Sequence, residues 1–309
     1  MKLRLLPALC SVLATSSPVA FADPGKFAHK ATKAAAGGGG PAPAVEVPEA
    51  IRGEGYQLVF QDEFDGAKGT PPDPAKWSQG IHGKWRDLWN VEDACRLDGE
   101  GNLRIEVRKN GDRYETGYLG TQGKFEANQG YFECRCRMQR ENGFWSAFWL
   151  MPRKMEVRLD DPGAGGVEID VMEHLKWKGE KLSHTAHWGL YKEHHQASSF
   201  ETRVPGLREG FHTFAVKWDE TGYEFYVDGR KTGRLPDTVP LSKQLSHVLL
   251  TCESEKWAGD ITKAKLPDAF TVDYVRVWQT PAQIEADRQR RGALATDSRR
   301  PPAPGVGPP

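Results

Sequence analysis

Between residues 54 and 280 the chain is a succession of short runs rich in β-branched and aromatic residues, each cut off by Gly, Pro, Asp or Asn. No amphipathic helical period separates these runs. Parallel strands need long crossovers, usually helical. Strands that follow one another without helices therefore pack as an all-β sandwich, jelly roll or barrel rather than as βαβ units. The runs that read as strands are Tyr56–Phe60, Leu103–Arg108, Gly130–Met138, Phe144–Leu150, Val167–Glu173, Ser183–Trp188, His212–Trp218, Tyr223–Val227, His247–Thr251 and Phe270–Trp278. Around residues 211–218 the alternation is explicit: Phe211, Thr213, Ala215 and Lys217 fall on one side, His212, Phe214, Val216 and Trp218 on the other. Turn chemistry brackets the next run, with Asp219-Glu220-Thr221-Gly222 before it and Asp228-Gly229 after it.

The flanks read differently. Residues 1–22 open with Lys2 and Arg4, continue apolar and end on Ala20-Phe21-Ala22, the pattern of a cleaved signal peptide, so a secreted or periplasmic protein is expected. Residues 23–53, with Gly, Pro and Ala dominant, read as a flexible linker, 54–280 as one folded domain, and 281–309 as a polar, peripheral C-terminal tail. Lys+Arg 42 balances Asp+Glu 42, and the central domain is the mildly acidic part. That balance excludes a nucleic-acid partner held by net positive charge. No apolar run reaches the length of a spanning helix, so no membrane partner is expected, and the protein is expected to be a monomer. Export permits disulfides, and Cys95, Cys134, Cys136 and Cys252 allow three full pairings among which spacing does not choose. Cys134 and Cys136, two apart on one strand, share a face and are poorly placed to bond each other.

The chemistry concentrates in Val167-Glu168-Ile169-Asp170-Val171-Met172-Glu173-His174. Side chains alternate along a strand, so Glu168 and Asp170 face one way and Glu173 would face the other. A bulge at Val171-Met172 would absorb one residue and return Glu173 to the shared face, and such bulges re-aim side chains beside active sites. Three carboxylates on one face repel one another, which raises at least one pKa. Glycoside hydrolysis uses that arrangement: one ionised carboxylate attacks the anomeric carbon while a protonated one releases the leaving oxygen. A solvated acidic strand or a calcium site would carry the same residues. All ten Trp lie between Trp77 and Trp278, as sugar stacking or an aromatic core requires.

On these residues the chain resembles glycoside hydrolase family 16. Glu168-Ile169-Asp170-Val171-Met172-Glu173 matches the family's bulged E-x-D-x-x-E signature. In family order there follow or precede it Gly130-Tyr131-Phe132-Glu133-Cys134-Arg135, Gly143–Leu150 with Ser146 where the family has Pro, Thr185-Ala186-His187-Trp188-Gly189, Phe211–Trp218, Tyr226-Val227-Asp228-Gly229 and Val272–Val277. The resemblance spans about residues 56 to 279. It implies a β-jelly-roll sandwich of two antiparallel sheets with a concave substrate cleft. It also implies Glu168 as nucleophile, Glu173 as general acid/base, Asp170 as their modulator, and retention by double displacement. Catalysis of this kind needs no cofactor. A structural calcium far from the cleft is a family feature, and Asp273 stands at the position of its side-chain ligand.

Further cleft candidates are Trp145 and Trp149, four apart on one strand face, His187 near the acid/base, Trp188, and Trp85 and Trp89 in the loop-like stretch around residue 85. Histidine is dense at His174, His184, His187, His194 and His195, but His184 and His187 point to opposite strand faces, which is poor geometry for zinc. The partner expected is a polysaccharide, and the aromatic, non-basic domain suits a neutral β-1,3 or mixed-linkage β-glucan cut internally. An agarase- or carrageenase-like galactan hydrolase and a transglycosylase share the signature. A non-catalytic carbohydrate-binding jelly roll shares the fold, but it has no use for both Glu168 and Glu173.

Overall fold

The computed structural model describes residues 45–297. The expected signal peptide lies outside the described residues. In chain order the strands are β1 (Gln57–Asp62), β2 (Ser78–Gln79), β3 (Gly83–Trp85), β4 (Leu88–Asn90), β5 (Cys95–Leu97), β6 (Leu103–Asn110), β7 (Arg113–Thr116), β8 (Tyr118–Gly120), β9 (Gly130–Arg137), β10 (Trp145–Pro152), β11 (Val167–Leu175), β12 (Lys181–Leu190), β13 (Glu193–Arg203), β14 (His212–Asp219), β15 (Gly222–Val227), β16 (Arg230–Arg234), β17 (Ser246–Glu253) and β18 (Asp268–Gln279). Among the described residues the one long helix is α1 (Pro281–Asp297). The expected jelly roll forms: a seven-stranded sheet in the order β13-β12-β11-β10-β17-β8-β2 faces an eleven-stranded one centred on β14-β9-β18-β6. Pairing is antiparallel apart from the short β4–β7 contact.

Alternation decides what each sheet buries. On β14, Phe214, Val216 and Trp218 enter the core between the sheets, with Phe132, Cys134 and Cys136 of β9 beside them. From the seven-stranded sheet come Phe148 and Leu150 of β10, Ile169, Val171 and Met172 of β11, and Val248 and Leu250 of β17. Each such side chain contributes roughly 1.5–3 kcal/mol on burial. The opposite face of the seven-stranded sheet is therefore free to line a cleft.

The expected outer boundaries shift. Residues 45–53 are not linker: Val45, Val47, Ala50 and the fully buried Ile51 cover Tyr131, Ala215, Tyr226 and Trp278 on the outer face of the eleven-stranded sheet. Those four residues are apolar enough to close a second small core, which the surrounding Pro and Ala conceal. Nor does the domain end at 280. Asp287 of α1 is fully buried and accepts hydrogen bonds from the Asn128 amide at 2.9 Å and Gln279 Nε2 at 2.8 Å, which anchors the helix. All four cysteines of the described residues are buried and free. Burial pushes the Cys95 thiol up to about 12.

Candidate active site

Strand β11 is the floor of the site. Against β12 its register runs Asp170 opposite Thr185 and then Glu173 opposite Ser183, so Val171 and Met172 together face His184. Against β10, Met172 pairs with Phe148 and Asp170 with Trp149, which leaves Val171 without a partner. This is the expected bulge. Val171 and Met172 both turn into the core, and Glu173 returns to the face that carries Glu168 and Asp170.

The three carboxyls are pushed up together, each to about 8, and burial is the largest cause for every one. The charge of Asp170 raises Glu168 and Glu173 further, and Glu253, at the end of β17, raises Asp170. The opposing influences are unequal. The Tyr191 hydroxyl donates to Glu168 Oε1, and that bond with the nearby His187 favours ionised Glu168. Nothing comparable offsets the rise at Asp170. No described side-chain hydrogen bond reaches the Glu173 carboxyl. The charges of His187 and Lys178 favour ionised Glu173, but of the two only Glu168 has a described hydrogen-bond donor, an asymmetry that suits Glu168 to act as nucleophile and Glu173 as general acid.

His187, expected near Glu173, contacts Asp170 instead: its Nε2 is 3.3 Å from Asp170 Oδ2 and its Nδ1 is 3.0 Å from His195 Nε2. His184 lies on the other face, in the core, as the strand alternation dictates. The aromatic candidates divide. Trp149 is half-buried on the cleft side, and its Nε1 donates to Thr251 Oγ1 at 3.2 Å. Trp85 is 44% exposed and reaches Glu253. Trp145 shares the cleft face but is only 3% exposed, because Trp257 covers its ring at 4.2 Å and Arg86 lies 5.4 Å above it. It supports the wall instead of offering a stacking face. Trp188 packs on the core from the strand face opposite His187, and Trp89 lies under the Arg113 guanidinium at 4.3 Å. Neither meets the carboxylates. Ser146, which replaces a proline of the family pattern, points away from the cleft and donates to Gln139 Oε1 at 2.5 Å.

Several residues at the site were not singled out by their pattern. Tyr191 and His195, stacked at 4.8 Å, come from the β12–β13 hairpin. Glu253, Arg86 and Trp257 arrive from elements far apart in sequence. Arg86 pairs with Glu253 at 2.6 Å and Glu255 at 2.7 Å. The local density of histidine was the one available signal for His195.

Glu168, Asp170 and His187 offer ligand atoms within 4.8 Å of one another, so a divalent ion held there would occupy the candidate nucleophile. The expected calcium ligand is different. Asp273 is 3% exposed and its Oδ2 is 2.5 Å from Arg135 Nη1. A guanidinium already neutralises this carboxylate, so the arrangement does not fit a calcium ligand.

The family profile described as "Glycosyl hydrolases family 16" matches residues 84–276. The chain is 28% identical over 250 residues to a β-glucanase of Rhodothermus marinus, covering 72% of this chain and 85% of that protein. It is also 28% identical over 246 residues to a keratan-sulfate endo-1,4-β-galactosidase of Sphingobacterium multivorum, covering 75% of this chain and 57% of that one. Among solved structures, a variant of SCLam, a non-specific endo-β-1,3(4)-glucanase presenting 1,3-β-D-cellobiosyl-glucose at its active site, superposes with a TM-score of 0.63. The identity is 26%, over 76% of this chain and 98% of that one.

Proposed function

The chain belongs to glycosyl hydrolase family 16, and from that premise we propose that it cuts internal bonds of a neutral β-1,3 or mixed-linkage β-glucan with retention. One observation carries the reading. The bulge at Val171-Met172 sets Glu168 and Glu173 on one face beside Asp170, with the Tyr191 hydroxyl donating to Glu168 and no described donor on Glu173. Ionised Glu168 attacks the anomeric carbon through one oxygen while Tyr191 holds the other. Glu173 passes its proton to the glycosidic oxygen as that bond breaks. Glu173 then takes a proton from the water that releases the sugar from Glu168. Two carboxyls suffice for these steps, so no cofactor is proposed.

The choice of a neutral glucan rests on Arg86. This cation lies in the cleft over Trp145, but Glu253 and Glu255 share its charge, which leaves it a poor anchor for a sulfate. The named activities of the β-glucanase and of SCLam support the same class. Export is part of the proposal and is supported by Lys2, Arg4 and Ala20-Phe21-Ala22; action as a monomer is also part of it.

The test is incubation of the purified protein with laminarin, mixed-linkage glucan, agarose, carrageenan and keratan sulfate, with products analysed by size. Internal cleavage of the glucans, abolished in Glu168→Gln, is expected. Cleavage of the galactans alone would move the substrate assignment, chain lengthening would indicate transglycosylation, and binding without turnover would sink the enzymatic reading.

A further inference from the structure

His184 stands directly beneath the bulge. It is fully buried on the core face of β12, its ring set 4.8 Å from Phe200 and 4.7 Å from Phe225. Its Nδ1 is 2.6 Å from the Val171 carbonyl oxygen and its Nε2 is 3.0 Å from Thr202 Oγ1. A bulge leaves backbone groups without ladder partners, and an orphaned carbonyl in a dry core costs about 1–3 kcal/mol. The Val171 carbonyl only accepts, so Nδ1 must carry the hydrogen. In the neutral ring Nε2 then accepts from the Thr202 hydroxyl. Burial keeps the ring neutral by pulling its pKa down to about 4. Each nitrogen thus has one partner of the right kind: the Val171 carbonyl selects the tautomer, and β13, through Thr202, satisfies the other nitrogen.

We propose that His184 is a positioning residue for Glu173: by donating to the Val171 carbonyl it holds the two-for-one register that turns the Glu173 carboxyl onto the catalytic face. The inference rests on the reading of Glu173 as general acid. Val171 is two residues from Glu173 and Met172 adjoins it, so a relaxed bulge moves that carboxyl before it moves Glu168, which lies on the regular side of Asp170. Misplacement of about 1 Å can cost on the order of 100-fold in rate.

The experiment compares two substrates. A β-glucan needs its leaving oxygen protonated, whereas a 2,4-dinitrophenyl β-oligoglucoside carries a leaving group that departs without an acid. His184→Leu should lower kcat on glucan roughly 10- to 100-fold with KM little changed, and lose at least ten times more rate on glucan than on the aryl glycoside. His184→Asn, whose side-chain amide can still donate to the Val171 carbonyl, should recover most of the difference. Where His184→Leu does not fold, Thr202→Val, which removes only the hydroxyl that holds the ring at Nε2, should show a weaker split of the same sense. Equal losses on both substrates, or an Asn variant no better than Leu, would overturn the positioning role and leave the assignment of function standing. A wild-type protein inactive on both substrates would instead overturn the functional reading, and this inference with it.

Discussion

Tyr191, in the hairpin turn that follows β12, donates its hydroxyl hydrogen to Oε1 of Glu168 on the adjacent strand β11. The bond spans 23 residues of sequence and couples a surface turn to the proposed nucleophile. Removing the donor in Tyr191→Phe withdraws support from ionised Glu168 and raises its pKa. The acid limb of the pH–rate profile should therefore move to higher pH. A hydrogen bond to a charged group is worth about 1.5–3 kcal/mol, so kcat/KM should fall about 10- to 100-fold. An unmoved acid limb would show that Tyr191 does not serve Glu168.

Asp170 raises the pKa of both proposed catalytic carboxyls, Glu168 and Glu173. In Asp170→Asn both limbs of the profile should move to lower pH, by about one unit for a close like charge. The two limbs belong to a coupled set, so they are read as a pair. A profile with both limbs and the rate unchanged would remove Asp170 from the site's electrostatics.

The same groups burden the fold. Their folded-state pKa values, about 8, lie above the ordinary carboxylate range. Between that range and about pH 8 the folded state binds more protons than the unfolded one, so stability is fullest at acid pH and falls as pH rises through the window. Glu173→Gln removes one such group. Its Tm should exceed wild type at pH 8 and gain less at pH 5, with about 2–4 °C for each kcal/mol in a domain of this size. Calorimetry showing the larger gain at pH 5 would reverse the sign and refute the account.

Ile51 is fully buried against the outer face of the eleven-stranded sheet. Ile51→Ala should cost about 2–5 kcal/mol, seen as a Tm drop of several degrees, while the pH profile stays as in wild type because the catalytic face is on the other sheet. An unchanged Tm would mean that residues 45–51 add nothing to the fold.

The sequence made the catalytic strand legible for two reasons. Period-two alternation puts Glu168 and Asp170 together, and two adjacent apolar residues, Val171 and Met172, mark where the alternation must break. The aromatic wall was less legible because residue type does not separate a stacking ring from a core ring. Trp188 and Trp85 look alike in sequence, and only pairing shows that one faces the core and the other the cleft. Tyr191 and His195 depend on the β12–β13 register, and β13 carries no hydrophobic alternation. It is an edge strand, exposed along most of its length, so nothing apolar announces it. Residues 45–51 were hidden by their neighbours, since the Gly, Pro and Ala of residues 23–44 set the composition of the whole stretch and mask the three branched side chains that bind the sheet.

The four buried cysteines have a consequence for how this domain matures. With all four free, no disulfide among the described residues holds the sandwich together, so its strand pairing should not depend on an oxidant. The described fold should assemble equally well in a reducing cytosol and in an oxidising envelope, and its thiols are shielded from reagents that attack only accessible sulfur.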